Sequence, residues 1–231
     1  MTAYDLPAAF ETVPVAWADA LPGWTPALKS AVVANVRRVS RDRPIAPEDP
    51  FRALRFMPPA GVKVVVFGQD PYPTAGHADG LAFSAGRGKP RSLARIFEVL
   101  ATDRPGFRPP DHGWQLDDWA RRGVLLLNPV LTVEIGRAGS HQDCGWQALT
   151  SQIVDLLARL PQPPVFLLWG SKARAFFRDA LAPGAAPACH VTRHPSYDLR
   201  REFMVESGSH FRATQHLVDW WTFDPPPTAV L

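Results

Sequence analysis

The chain has 231 residues, of which 46% are hydrophobic, and its formal net charge is +3. This composition suits one sizeable globular domain and excludes a wholly disordered chain, and the small net charge permits a nucleic-acid partner without indicating one. The two cysteines, Cys144 and Cys189, are too few for a four-cysteine zinc or iron–sulfur site.

The sequence carries no evident targeting or membrane segment. Its first ten residues lack a basic stretch followed by an apolar run, so we expect no secretory signal. No apolar stretch approaches the roughly 18 residues of a membrane-spanning helix. We therefore expect a cytoplasmic protein that has no membrane partner.

The order of apolar segments along the chain predicts an α/β fold. Residues 1–60 show helical spacing interrupted by proline, which predicts a mainly helical flank. Four short apolar runs then predict strands, at residues 62–67, 124–127 and 165–169 and in the segment 188–197, which runs into His194. Helical spacing returns at residues 91–103, 145–160 and 210–221. Such alternation is typical of parallel strands joined by crossover helices.

Two further expectations concern the ends of this pattern. The apolar run that contains Cys189 predicts a buried strand, so we expect this cysteine to pack in the interior. Residues 222–231 include three consecutive prolines and predict a loose tail. Because no linker divides the chain, we predict one domain over residues 1–231.

Polar residues follow each predicted strand directly. They are Gln69 and Asp70, then Asn128, then Ser171, and finally His194 and Ser196. Because ligands bind beyond the carboxyl ends of the strands in an open parallel sheet, we expect these residues to converge on one crevice. Each has an ordinary alternative, since Asp70 and Asn128 precede prolines as turn residues do and His194 could be a buried histidine. The repetition at four strand ends favours a functional site.

The same segments resemble the family 1 uracil-DNA glycosylases from about Phe51 to Trp221. The resemblance rests on GQDPY (68–72), GLAFS (80–84), GVLLLNPVLTVEIGRAGSHQDCGWQ (123–147), LLWGSKA (167–173), RHPS (193–196) and GSHF (208–211), in the order of that family. It implies a three-layer α/β/α sandwich around a central four-stranded parallel sheet. It also implies excision of uracil from single- or double-stranded DNA by a monomer, with no metal and no cofactor.

The resemblance assigns catalysis to Asp70 and His194. Asp70 would activate the attacking water, and His194 would donate a hydrogen bond to uracil O2 as negative charge develops there. His141, in the GSH segment, would support Asp70 or its water. The backbone of the DNA would be held by Ser92, Ser171 and Ser196, whose hydroxyls can contact phosphate without reading sequence.

The uracil pocket would be formed by Gln69, Tyr72, Phe83 and Asn128. Phe83 would stack on the base, and Gln69 would add backbone contacts. The Asn128 amide offers a donor and an acceptor that fit uracil O4 and N3–H, whereas cytosine presents the opposite polarity. Tyr72 would lie against C5, where the methyl group of thymine would collide.

The chain departs from the usual family motifs at three places. Pro73 stands where a histidine usually follows GQDPY, and Pro129 replaces a threonine after the uracil-binding asparagine. The family usually reads HPSPLS, with the leucine entering the base stack, but this chain reads HPSYDLRR from 194 to 201. Asp198 then occupies the leucine position, and an aspartate would lose its hydration in a base stack without finding a partner.

The intercalating residue must therefore be another member of this loop. Leu199 is the favoured candidate because an aliphatic side chain separates base steps without needing a polar partner, and Tyr197 is the second. Arg200 and Arg201 would supply phosphate contacts. The ordinary alternative is a solvated loop with no role at the DNA.

Three other functions are alternatives to this interpretation. A related glycosylase with an iron–sulfur cluster would need four cysteines. A protein that flips uracil but cannot hydrolyse it would not need both Asp70 and His194. A metal-dependent hydrolase could use Asp70 with His77 and Asp79, but the spacing of these ligands is loose.

Overall fold

The computed structural model describes residues 4–110, 114–198 and 200–223. Helices and strands alternate along much of the chain. In chain order they are α1 (Leu6–Glu11), α2 (Val15–Ala20), α3 (Pro26–Ser40), β1 (Ile45–Ala46), β2 (Val64–Phe67), α4 (Arg91–Asp103), α5 (Asp117–Arg121), β3 (Val124–Leu127), β4 (Val133–Glu134), α6 (Trp146–Ala158), β5 (Val165–Trp169), α7 (Ser171–Ala180), β6 (Cys189–Thr192) and α8 (His210–Ala213). Short 3-10 turns lie at Arg52–Arg55, Pro59–Gly61 and Pro195–Tyr197.

The central element is a four-stranded parallel sheet with the spatial order β3-β2-β5-β6. The strands end at the same level, because Phe67 at the end of β2 pairs with Leu127 of β3 and with Leu168 of β5. Every residue of β2 is fully buried, as expected for a central strand that is covered on both faces. With helices around this sheet, the predicted α/β/α fold is confirmed.

The edge strand β6 differs from its prediction. It pairs with β5 alone, and its residues alternate between exposed and partly buried positions. Cys189 is exposed, so the prediction that it packs in the interior is wrong. The side chain of Cys189 lies on the open face of this edge strand. An apolar run in the sequence does not reveal whether other segments cover that face. A two-stranded antiparallel ladder, β1 with β4, was not predicted either.

The first 60 residues pack on α6 through aromatic side chains. The rings of Phe10, Trp24, Phe51 and Trp146 contact one another, with centroid separations from 4.8 to 6.4 Å. The indole N–H of Trp24 also donates to the carbonyl of Leu149 in α6 at 3.0 Å. This packing joins the flank to the helix that leads into β5.

The buried hydrophobic residues, from Leu6 to Trp220, form one continuous core. The assignment of residues 1–231 to a single domain stays a prediction, and the tail from residue 224 onward lies outside the described residues. None of the helices in the described part of the chain is long and apolar enough to span a lipid bilayer.

Candidate active site

The carboxyl ends of the sheet border a cavity of about 250 Å³. Among the residues that line it are eight that the sequence had singled out: Gln69, Asp70, Tyr72, Phe83, Ser92, Asn128, His194 and Ser196. Because the parallel strands end in register, residues far apart in the sequence meet at one level. The cavity is the geometric centre of the candidate site.

Asp70 is fixed from two sides. It follows β2 closely, and its Oδ2 atom accepts the backbone N–H of Gly139 at 2.8 Å. A second contact joins the same loops, since the N–H of Gly136 donates to the carbonyl of Pro73 at 2.8 Å. Burial raises the pKa of the Asp70 carboxyl, and the Gly139 N–H and the charge of Lys172 oppose that rise. The Asp70 carboxylate is therefore partly dehydrated, and its basicity is increased.

His194 follows β6 and is neutral at physiological pH. Burial, together with the charge of Lys172, lowers the pKa of its ring to about 4. Its Nδ1 atom accepts the backbone N–H of Ser196 at 3.1 Å. Because a neutral imidazole carries one proton, this hydrogen bond places the proton on Nε2. His194 thus offers a single N–H donor while adding no charge.

Gly170 allows His194 to approach the end of β5. A Cβ atom on this glycine would lie 2.9 Å from the Cβ of His194, and its φ of +106° lies outside the range that other residues favour. A larger residue here would push His194 away from the cavity.

Two hydrogen bonds of the hydroxyl group fix the side chain of Tyr72. Its hydroxyl donates to the carbonyl of Phe83 at 3.0 Å and lies 2.8 Å from Oγ of Ser92. Burial raises the pKa of the Tyr72 phenol, so this group stays protonated. The two hydrogen bonds fix the ring at one border of the cavity.

Phe83 is held in an unusual backbone conformation. Its φ is +65°, which is uncommon for a residue other than glycine and persists only where the surroundings impose it. Its ring lies between Trp169 and His194, at centroid separations of 5.1 and 5.7 Å. An aromatic face is therefore presented at a fixed place beside the histidine.

Asn128 directly follows β3 and is 8% exposed. The neighbouring strand reaches the same level, since the N–H of Gly68 donates to the carbonyl of Leu127 at 3.1 Å. The Asn128 amide therefore lies against the end of β2. There it forms part of the cavity wall, next to Gln69 and Asp70.

His141 is held by two hydroxyl groups in the interior. Its ring is fully buried, with Nε2 at 2.7 Å from Oγ of Ser40 and Nδ1 at 2.8 Å from Oγ1 of Thr132. Both nitrogens are therefore engaged by hydroxyl groups. His141 belongs to the loop whose Gly139 N–H donates to the Asp70 carboxylate, and its role in supporting Asp70 stays a prediction.

The three predicted phosphate-binding serines have different surroundings. Ser171 begins α7 and Ser196 lies in the turn after His194, and both are exposed. Ser92, near the start of α4, is only 2% exposed, and its hydroxyl contacts Tyr72 rather than the surface. Its direct contribution in this structure is to the pocket wall.

The predicted intercalation loop is only partly described. Tyr197 ends the 3-10 turn Pro195–Tyr197, Arg200 is exposed, and Leu199 lies outside the described residues. The assignment of the intercalating residue therefore stays a prediction. Asp198 is turned inward, with its side chain 1% exposed and its Oδ2 at 2.6 Å from Nε of Arg95.

Asp79, one candidate ligand of the alternative metal site, has other partners. The carboxylate of Asp79 accepts hydrogen bonds from the Ser84 hydroxyl at 2.5 Å and from the Leu81 N–H at 3.1 Å, and it pairs with Arg52. Over the residues that the structure describes, no group of three or more His, Cys, Asp or Glu side chains could hold a metal ion.

Two residues of the site were missed by sequence reasoning. Lys172 lines an adjoining cavity together with Gln69 and His194, and its charge acts on both Asp70 and His194. Its position directly after Ser171 was the available signal. Gly139 acts through its backbone N–H, which every residue type except proline carries, so the donor could not be recognised from the residue type.

The chain is similar in sequence and fold to known proteins. The profile of the Uracil DNA glycosylase superfamily matches residues 54–221. A uracil-DNA glycosylase of Bordetella parapertussis is 42% identical over 225 residues, which cover 90% of this chain and 87% of the relative. One from Epstein-Barr virus is 44% identical over 193 residues, with 82% and 74% covered. The crystal structure of mimivirus uracil-DNA glycosylase superposes with a TM-score of 0.68 at 26% identity, covering 79% of this chain and 68% of that one.

Proposed function

The chain belongs to the uracil-DNA glycosylase superfamily, and on that premise we propose that Asp70 and His194 carry out its excision of uracil from DNA. The reaction is a metal-independent hydrolysis of the N-glycosidic bond of deoxyuridine. It leaves an abasic site and starts base excision repair. Since the reacting C1′ carbon is inaccessible within a duplex, the nucleotide must first rotate out of the stack into the cavity.

Recognition of the base follows from the fixed walls of the cavity. The Phe83 ring would stack on uracil, and the Asn128 amide would donate to O4 and accept from N3–H. Cytosine would leave both amide groups unpaired, and unpaired buried polar groups give strong discrimination. The Tyr72 ring, held through its hydroxyl, would occupy the space that the methyl group of thymine needs.

The chemical step would use the negative charge of Asp70 and the neutral N–H donor of His194. As the C1′–N1 bond breaks, positive charge develops on the sugar and negative charge on uracil. Asp70 would orient and activate the water that attacks C1′, and its negative charge would stabilise the cationic sugar. The Nε2–H of His194 would donate to uracil O2, where a fixed donor stabilises charge that appears only in the transition state.

Contacts to the DNA backbone would come from the rim of the cavity. Ser171 and Ser196 present exposed hydroxyls there, and Arg200 adds an exposed cation. Such contacts hold phosphates without reading sequence, which suits an enzyme that must act in every sequence context. The cations would make binding dependent on salt concentration. We also propose that the protein acts as a cytoplasmic monomer on single- and double-stranded DNA.

The observation that carries the proposal is that a partly buried carboxylate and a neutral histidine line one cavity with Asn128. The test is incubation of an oligonucleotide that contains one uracil with the protein and excess EDTA. We expect free uracil and one alkali-labile site, and no release from matched thymine or cytosine oligonucleotides.

Two variants serve as controls for this experiment. Asp70→Asn and His194→Ala should each slow uracil release strongly in single-turnover assays while keeping most of the DNA affinity, since both act after the base has been flipped. Normal rates in either variant would remove that residue from the mechanism. Loss of the wild-type activity in EDTA would contradict the metal-independent reaction.

A further inference from the structure

The side chain of Asp198 is buried and binds other parts of the chain, although the family resemblance places an intercalating leucine at this position. Its side chain is 1% exposed, and its Oδ2 atom accepts from Nε of Arg95 at 2.6 Å. Its Oδ1 atom accepts the backbone N–H of Glu202 at 2.5 Å. A buried carboxylate is retained only where charge and hydrogen bonds compensate its lost hydration, and here both are present.

Arg95 is the centre of this contact and projects from α4. Its side chain is 15% exposed, and all three of its guanidinium nitrogens are engaged. Nε binds Asp198, Nη1 binds Glu98 at 3.1 Å, and Nη2 donates to the carbonyl of Arg201 at 3.1 Å. The Arg201 side chain also pairs with Glu98. The chain is thus attached to α4 on both sides of residue 199.

The backbone beyond this attachment is held in two uncommon conformations. Arg201 and Met204 have φ values of +56° and +61°, a region that residues other than glycine rarely adopt. The N–H of Met204 donates to Oγ1 of Thr192 in β6 at 3.0 Å. Such conformations cost energy and persist where surrounding contacts impose them, and Arg95 and Thr192 supply contacts of this kind.

The helix that carries Arg95 also supports the uracil pocket. Ser92, one turn before Arg95 in α4, contacts the hydroxyl of Tyr72 at 2.8 Å. One helix therefore fixes both a wall of the pocket and the segment that follows His194. A rigid common support keeps the distance between these two regions constant.

We propose that Arg95, together with Asp198, is a positioning pair that presets the segment from Arg200 to Met204 relative to the uracil pocket, so that this segment meets duplex DNA without rearrangement. The inference rests on the proposed function, in which this segment borders the DNA. Neither residue touches the reacting atoms, and both act through the segment that they fix.

The proposal predicts a defect that is specific to duplex DNA. In a duplex the partner strand competes for the flipped base, so a misplaced segment slows extrusion, whereas a single strand has no such competitor. Arg95→Ala should lower single-turnover uracil release from a duplex by about ten- to a hundredfold, as small misplacements do, and release from a single strand by less than about threefold. Arg95→Lys, which keeps the charge but cannot make three directed contacts, should lie between.

Asp198→Leu separates the proposal from its simplest rival. This change restores the usual residue of the family, so a position that inserts into DNA would gain activity on the duplex. Under the proposal the change leaves the Arg95 charge without its buried partner and lowers duplex activity. Asp198→Asn is a milder variant that keeps an acceptor for the Glu202 N–H, and Arg159→Ala, which breaks an exposed ion pair with Asp155 on α6, is the control.

The experiment measures uracil release from matched duplex and single-stranded oligonucleotides, together with hydrogen exchange at the amide of Glu202, which donates to Asp198. We expect faster exchange and a lowered duplex-to-single-strand ratio in the Arg95 and Asp198 variants, and no change in the control. Faster exchange with an unchanged ratio would overturn the proposal, and so would equal losses on both substrates or a gain in Asp198→Leu. If the wild-type protein released no uracil even from the single strand, the proposed function itself would fail.

Discussion

The Oδ1 atom of Asn128 occupies the space where a side chain on Gly68 would begin. A Cβ atom built on Gly68 would lie 2.1 Å from this oxygen and 3.1 Å from the Cβ of Ala82. The glycine at the end of β2 is thus what allows the amide from β3 to stand at the cavity wall. The amide that we propose recognises the base is therefore positioned by the absence of a side chain on Gly68.

Gly68→Ala should therefore damage base recognition. The added methyl group would displace the Asn128 amide, and we expect uracil release to fall by roughly ten- to a hundredfold. The measurement is a double-mutant cycle of single-turnover rates with Asn128→Ala. If Gly68 acts through Asn128, the double variant should be no slower than Asn128→Ala alone. Additive losses would show that Gly68 has a separate role.

The pH dependence of the reaction should have its inflections on the acid side. The proposed mechanism requires Asp70 to be ionised and His194 to be neutral, and both conditions fail as the pH falls. Burial and the charge of Lys172 lower the pKa of His194 to about 4, so its protonation should not be seen near pH 6.5, the usual value for histidine. Single-turnover rates between pH 4 and pH 9 test this. An inflection near pH 6.5 that vanishes in His194→Gln would contradict it.

Tyr72→Ala should admit thymine. Removing the ring opens the space beside C5, and we expect thymine release to rise by about ten- to two-hundredfold, the range for a methyl group in a tight pocket. Tyr72→Phe is the matched control, because it keeps the ring and loses only the contacts to Phe83 and Ser92. Release is measured from oligonucleotides with one thymine opposite adenine or guanine. Equal selectivity in wild type and Tyr72→Ala would place the methyl-excluding group elsewhere.

Acid should destabilise the fold through two buried histidines. Burial lowers the pKa of His194 to about 4, and burial together with nearby His190 lowers that of His210 to about 4 as well. Below about pH 6.5 the unfolded chain binds protons at these sites and the folded chain does not, so stability falls as the pH falls from about 6.5 to 4. Each site should cost about 2 kcal/mol at pH 5 relative to pH 8.

Urea unfolding at pH 5 and pH 8 measures this loss. His194→Gln has no titrating side chain at that position, so it should show a smaller difference between the two pH values by about 2 kcal/mol. The same difference in the variant and the wild type would mean that His194 is not the source.

The four strands and the residues that follow them were predictable because a buried parallel strand leaves a local signature. β2 and β3 are continuous runs of valine, leucine and phenylalanine, and polar motifs begin where they end. Residues such as Asp70 and Asn128 reach the cavity through their place in the chain, so sequence order was sufficient to place them together.

Contacts between distant segments could not be predicted in this way. His141 binds Ser40 across 101 residues, and Arg95 binds Asp198 across 103, with no local pattern that connects the partners. Cys189 was misplaced for a related reason, since its exposure depends on which face of β6 other segments cover. Burial at an edge and the direction of a polar side chain are set by the assembled fold.

The parallel register of the sheet also makes uracil release a reporter of completed folding. The cavity takes Asp70 from the end of β2, Asn128 from β3 and His194 from β6, so none of these strands can be unpaired in an active molecule. Pairing of distant parallel strands is slow, whereas helices form from local contacts. In a refolding reaction, helical circular dichroism should therefore recover before activity does. A fragment that lacks β6 would be catalytically silent even where its remaining core is folded.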